Sequence, residues 1–144
     1  MEIGRYDILT VDDSTFYFFS SGKNGIIEKR IVYSATEVPD YFRLSFGDFV
    51  DNYIEENSIS DNGDADIIIG TVAWSIVYFT RKDAKRRIKF TGATKSRTRL
   101  FAMWINKHSE ELLKHLNIYG YYNGRCEKFI PNKQYESFLF SLKI

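Results

Sequence analysis

The stretch IIIGTVAWSIVYF, residues 67–79, is the longest apolar run in the chain, and it constrains the fold more than any other feature. A bilayer-spanning helix needs about 20 apolar residues. Asp64 and Asp66 before the run, and Arg81 and Lys82 after it, close both ends well inside that length, so the run does not cross a membrane. It predicts a fully buried helix from about Asp64 to Lys82, with Asp61, Asn62 or Asp64 available to cap its first amides. Asp64 and Asp66 suit the positive end of the helix dipole, and Arg81 and Lys82 suit the negative end. A helix this apolar must lie on a second layer, and the rest of the chain has to supply it.

The second layer is written as short strands. RYDILT (5–10), TFYFFSS (15–21), IIEKRIVYSA (26–35) and YFRLSFGDF (41–49) are β-branched or aromatic runs divided by turn residues, which predicts an antiparallel meander. Gly22-Lys23-Asn24-Gly25 is a hairpin turn candidate. In YFRLSF, Phe42, Leu44 and Phe46 alternate with Tyr41, Arg43 and Ser45, giving one buried and one wet face. TFYFF is apolar on both faces. It reads either as a central strand covered on both sides or as one that offers Tyr17 and Phe19 as an exposed aromatic platform. RRIKFTG (86–92) predicts a fifth strand with Arg87 and Lys89 on one basic face. A second helix is expected over 96–116, where Leu100, Phe101, Trp104, Ile105, Leu112, Leu113 and Leu116 recur at helical spacing. IYGYYNGRCEKFI contains Asn123-Gly124, a strong hairpin signal, and YESFLFSLK closes as a strand. The order ββββ-α-β-α-βββ is α+β, a mostly antiparallel sheet with two helices packed on it.

With 144 residues, the chain fits a single domain spanning 1–144, large enough to bury a core without disulfides or metals. Cys126 is the one cysteine, so no intramolecular disulfide is possible. The start MEIGRYDILTVDD lacks the basic and apolar blocks of a signal peptide, which places the expected location in the cytoplasm, with no membrane partner.

Charge is split along the chain. Residues 1–80 hold five Lys/Arg against fourteen Asp/Glu, while 81–144 hold fifteen against five. Two outcomes follow from such a split: the acidic half neutralises the basic half within the fold, or a basic surface faces an anionic partner. Internal neutralisation is the commoner outcome.

FGD (46–48), SDNGD (60–64) with its apolar helix, TGATKSRTRLF (91–101) and the closing IYGYYNG and YESFLF resemble a family of uncharacterised bacterial proteins common in Bacteroidota, a domain of unknown function. The resemblance spans most of the chain, and its most specific motif is G-x-T-x-S-R-T-R-L at 92–100. Relatives of that kind carry Ser and Tyr where this chain has Ala93 and Phe101. The resemblance implies a compact single domain and brings no activity with it.

The loop and helix start at 92–99 form the candidate anion site, through Gly92, Thr94, Lys95, Ser96, Arg97 and Arg99. A helix start offers unpaired amides and a positive dipole end, and arginine adds planar two-point donors. Cations are otherwise disfavoured at that end of a helix, so something negative should compensate them. It is either an external anion or internal acids such as Asp48, Asp51, Glu55, Glu56 or the cluster at 61–66. Lys85, Arg87 and Lys89 extend the basic patch. Nine Lys/Arg against one Asp across 81–99, with aromatics nearby, favour nucleic acid or another polyanion as partner. No RNP1, KH or zinc signature accompanies them, so the signal is electrostatic.

A protein-interaction subunit, antitoxin-like, adaptor-like or self-associating through its opposite charges, is the alternative reading. An acyl- or nucleotide-transfer enzyme is the third, weakened by the single glycine, Gly92, in the loop. No catalytic residue, metal site or cofactor is assigned. His108, Glu111 and His115 share one side of a helix but lack a second ligand pair, and they read as solvated polar groups. Cys126 reads as a small strand residue. The acids of SDNGDAD do not fall at calcium-loop positions, since Val72 stands where the bidentate Glu belongs.

Overall fold

The computed structural model describes residues 1–56 and 62–144. The strands are β1 (Leu9–Asp12), β2 (Thr15–Gly22), β3 (Gly25–Ala35), β4 (Tyr41–Val50), β5 (Tyr53–Glu55), β6 (Arg87–Phe90), β7 (Leu116–Tyr122), β8 (Arg125–Lys128) and β9 (Ser137–Leu142). The helices are α1 (Ala65–Lys82), between β5 and β6, and α2 (Lys95–Leu112), between β6 and β7. The expected α+β order holds, with β5 as one short addition. Strand order across the sheet is β1-β2-β3-β4-β6-β9-β7-β8, and β5 pairs with the far end of β4. All pairings are antiparallel except β4 with β6, which the α1 crossover joins in parallel. The expected turns sit where their residues tolerate positive φ: Gly25 at 85°, and Asn123 and Gly124 at 48° and 73°.

Register puts one set of side chains on a common face. Phe16, Ile31 and Phe46 lie in line, as do Phe42, Ile88, Phe140 and Ile118. Both helices pack on this face. Phe79 of α1 stacks on Tyr33 at 4.1 Å and meets Phe42 edge-on at 5.0 Å. Phe101 of α2 packs on Phe90 at 4.4 Å. Hydroxyls inside α1 are satisfied locally, since Thr71, Ser75 and Thr80 donate back to carbonyls of Ile67, Val72 and Ile76. The Tyr33 and Ser75 hydroxyls share a 2.6 Å hydrogen bond, and burial pushes the Tyr33 phenol well above its usual value.

Four expectations need correction. The first strand starts at Leu9 rather than Arg5, because Tyr6 turns to α1: its amide donates to Thr71 Oγ1 and its hydroxyl to Asp64. α1 is not buried all round: Ile67 is 38% exposed and Tyr78 50%, on the side turned away from the sheet. Asp64 occupies the N-cap position of α1 but makes no capping bond with its side chain, and Asp61 lies outside the described residues. α2 stops at Leu112, short of residue 116, because Leu116 is already paired with Leu142; Lys143 Nζ donates to the exposed Leu113 carbonyl at 2.7 Å. Of the two readings of TFYFF, the exposed platform is the one observed, with Phe19 44% exposed and Tyr17 edge-on to it.

Charge placed on the two sides of α1 tests this arrangement. Ile76→Asp puts a carboxylate into the core and should cost several kcal/mol, whereas Ile67→Asp should change stability by less than about 1 kcal/mol. Urea unfolding of both variants makes the comparison, and equal costs would contradict the orientation of the helix.

Candidate functional site

The starts of α1 and α2 meet over the ends of β3, β4 and β6, and between them lies a cavity of about 110 Å³. Its walls are apolar where Phe46, Ile68, Phe90, Leu100 and Phe101 contribute, and polar where Lys29, Asp48, Glu56, Asn62, Asp64 and Arg97 do. Lys29 and Asp48 are opposite each other on β3 and β4, on the face that is otherwise core, and both are buried. The Lys29 ammonium donates to Asp48 Oδ1, which supplies the charge compensation a buried ion requires.

Asp64 is the least satisfied group in the cavity. It is 8% exposed. Its Oδ2 accepts hydrogen bonds from Tyr6 Oη and Ser20 Oγ, both at 2.6 Å, while Oδ1 is buried without a partner. Burial, then the bond to Asp64, raises the Tyr6 phenol above its ordinary value. Asn62 pins the entrance by accepting from the Asn24 amide at 2.6 Å and donating to Ser20 Oγ and the Gly25 carbonyl. These bonds hold the start of α1 against the β2–β3 turn, which fixes where Asp64 sits.

The α2 start is closed largely by its own side chains. Thr94 Oγ1 accepts from the Arg97 amide, Thr98 Oγ1 accepts from the Gly92 amide at 3.0 Å, and the Thr98 amide donates to the Thr94 carbonyl. A Cβ on Gly92 would come within 2.5 Å of the Thr98 nitrogen, so the glycine serves close packing of the loop on the helix. The six residues expected to share an anion site divide between two walls. Gly92 and Arg97 line the cavity, while Thr94, Lys95 and Arg99 face an outer groove with Asn106, Lys133 and Glu136. Gly92 borders both, and Ser96 is exposed on the first turn and lines neither. Burial draws the Arg97 guanidinium below its usual value, and the charges of Asp48 and Glu56 oppose that shift.

The basic patch lies elsewhere. Lys85 is in the turn before β6, and Arg87 and Lys89 stand on the face of the sheet away from the helices. Lys89 Nζ sits 4.6 Å from the Tyr121 ring. On α2, His108 packs on Trp104 and lies 3.4 Å from Asp66, whereas Glu111 accepts from the Glu2 amide and faces Lys114 and His115. Those contacts, first the Glu2 amide, hold the Glu111 carboxyl below its usual range. Cys126 is exposed on β8.

A family model matches residues 2–143 of the chain. The protein belongs to DUF6934, a family of unknown function. No curated protein and no solved structure matches it. In this DUF6934 domain, three separated stretches meet at one place: Phe46, Gly47 and Asp48; Asn62 and Asp64; and 91–101 through Gly92, Arg97 and Phe101. Sequence reasoning singled out Gly92 and Arg97 but not Lys29. The signal for Lys29 was the strand period, since Ile27, Lys29, Ile31 and Tyr33 alternate onto one face.

Removing one partner of the buried pair tests its role in the DUF6934 domain. Asp48→Leu should cost about 3–5 kcal/mol by taking the carboxylate from the buried Lys29, Lys29→Met should cost less because Arg97 also approaches Asp48, and the double variant should cost clearly less than their sum. Denaturant midpoints of the three variants measure this, and additive costs would show that the two charges do not depend on each other.

Proposed function

We propose that the domain binds a small molecule, or the end group of a larger one, that presents an ammonium, amidine or amide N–H on an apolar stem. The observation that carries this reading is the buried, unpartnered Asp64 Oδ1 in the cavity wall. A buried acceptor without a partner costs about 1–3 kcal/mol, and a ligand donor would remove that cost. Charge supports the same class. Asp48, Glu56 and Asp64 outnumber Lys29 and Arg97 around the cavity, so a cation or a neutral donor fits better than an anion. The volume is below the ~300–1,000 Å³ of ordinary ligand pockets, which favours a single end group seated against Phe46, Phe90 and Phe101.

The anion reading of the α2 start attaches instead to the outer groove, where Lys95, Arg99 and Lys133 outnumber Glu136. Binding, rather than acyl or nucleotidyl transfer, is the function proposed, because the unpartnered acceptor calls for a donor and not for a reacting group.

Thermal denaturation with small amines, guanidines, amides, carboxylates and phosphates distinguishes the readings. A true ligand at about 100 times its Kd should stabilise the protein by roughly 2.7 kcal/mol. Donor-bearing compounds are expected to stabilise the wild type and to lose that effect in Asp64→Asn. The asparagine oxygen can still accept from Tyr6 and Ser20, while its amide replaces the free acceptor with a donor. Stabilisation by anions alone, reduced in Lys95→Ala with Arg99→Ala, would overturn the cavity reading in favour of the groove.

A further inference from the structure

Among the described residues, the ion pairs leave most of the basic segment unmatched. Lys82 reaches Asp13 at 3.9 Å, and Arg97 faces Asp48 and Glu56. Arg86 is spent on α1, stacking 4.0 Å over Phe79 and donating to its carbonyl. Among the described residues, no carboxylate lies within 4.0 Å of Arg43, Arg87, Lys89 or Lys128. Register places these four on one face. Arg43 is opposite Lys89, Lys89 is opposite Leu139, Leu139 is opposite Tyr119, and Tyr119 is opposite Lys128; Arg87 follows two residues from Lys89 on the same strand. The hydrophobic core draws its strand members from the opposite face, where both helices pack.

Aromatic rings are interleaved with these cations. Tyr41 and Tyr121 join hydroxyls at 3.3 Å across the sheet, next to Arg87 and Lys89. At the other end, Arg30 lies 3.8 Å from the Phe49 ring and 5.3 Å from Tyr17, with the exposed Phe19 beside it. The face thus combines the unmatched charge of Arg43, Arg87, Lys89 and Lys128 with rings on neighbouring strands about 4.8 Å apart, while Arg30 is paired with Glu28.

We propose that this helix-free face of the sheet binds single-stranded nucleic acid, with Arg43, Arg87, Lys89 and Lys128 along the phosphates and Phe19 and Tyr121 under unpaired bases. The charge is complementary to a phosphate backbone, and every base offers a ring face to stack. A duplex conceals its bases from such rings, and among the described residues no helix projects from this face to enter a groove. A second copy is a poorer occupant, because a two-fold face-to-face dimer would bring the same cations against themselves. The inference is independent of the cavity, which these six residues do not line.

Fluorescence anisotropy of a labelled oligothymidine of about a dozen bases, titrated at several salt concentrations, tests it. The wild type is expected to bind at low salt, and more weakly to a duplex of the same length. In Arg43→Ala, Arg87→Ala, Lys89→Ala, the slope of log affinity against log salt should flatten by about 2, from roughly 0.7 per lost phosphate contact. Phe19→Leu with Tyr121→Leu should weaken binding by about tenfold or more with the salt slope retained. Replacing Lys107, Lys114 and Lys143, cations that lie off this face, should leave both quantities unchanged. All three variants should remain folded at the assay temperature, as their melting curves will show, since the replaced side chains lie outside the core. No binding at low salt, an equal loss in the off-face variant, or equal competition by polyglutamate would each overturn the proposal. So would light scattering that shows a dimer abolished by the first variant, which would assign the face to a second copy.

Discussion

The buried ion pair between Lys29 and Asp48 is the constraint around which this end of the molecule is arranged. Two unit charges on the core face of adjacent strands cannot be covered by apolar side chains alone, because desolvation costs several kcal/mol per ion. The pair also fixes how β3 and β4 align. A slip of β3 by one residue would turn Lys29 outward and bring Arg30 to the core side, while Asp48 stayed buried on β4. Polar neighbours follow from it: Arg97 approaches Asp48 from α2, and the start of α1 brings Asn62 and Asp64 to the same space. A cavity remains where the two helix starts, with the small residues Ala65, Gly92 and Ala93 on its wall, converge on charges that must stay hydrogen-bonded.

The other end of the core does the opposite. There the sheet and α1 close on rings, with Phe79 stacked on Tyr33 and edge-on to Phe42 and Phe16. Packing of this kind resists rearrangement, since each ring is held by several neighbours at interior density. It forms a rigid frame for the polar end, so Asp64 is held in place by Tyr6 and Ser20 and cannot swing out to water to satisfy its second oxygen.

Periodicity made most of the fold legible in the sequence. Alternation of Phe42, Leu44 and Phe46 gave the buried side of β4, the apolar run at 67–79 gave α1, and Asn123-Gly124 gave the β7–β8 turn. Strand order was not legible, because the pairing of β4 with β6 and the insertion of β9 between β6 and β7 depend on contacts distant in sequence. The site was legible only in part. Gly92, Thr94 and Arg97 stood out as a helix start, but the opposite directions taken by Arg97 and Arg99 come from the turn of α2 and the packing around it. Asp64 looked like a helix cap. It serves instead as an acceptor for two hydroxyls from separate elements, Tyr6 and Ser20, which local spacing does not encode.

The position of β9 bears on how the molecule comes together as it is made. β6 and β7 do not touch as neighbouring strands; each is hydrogen-bonded to β9, which follows them in the chain. Without residues 137–142 the pairings of the sheet fall into two pieces, one ending at β6 and one comprising the β7–β8 hairpin. Each then presents a bare edge, and α2 has no Phe138 or Phe140 to rest on. Closing the sheet therefore requires this last strand, which fills the gap between the two edges and completes the surface under α2.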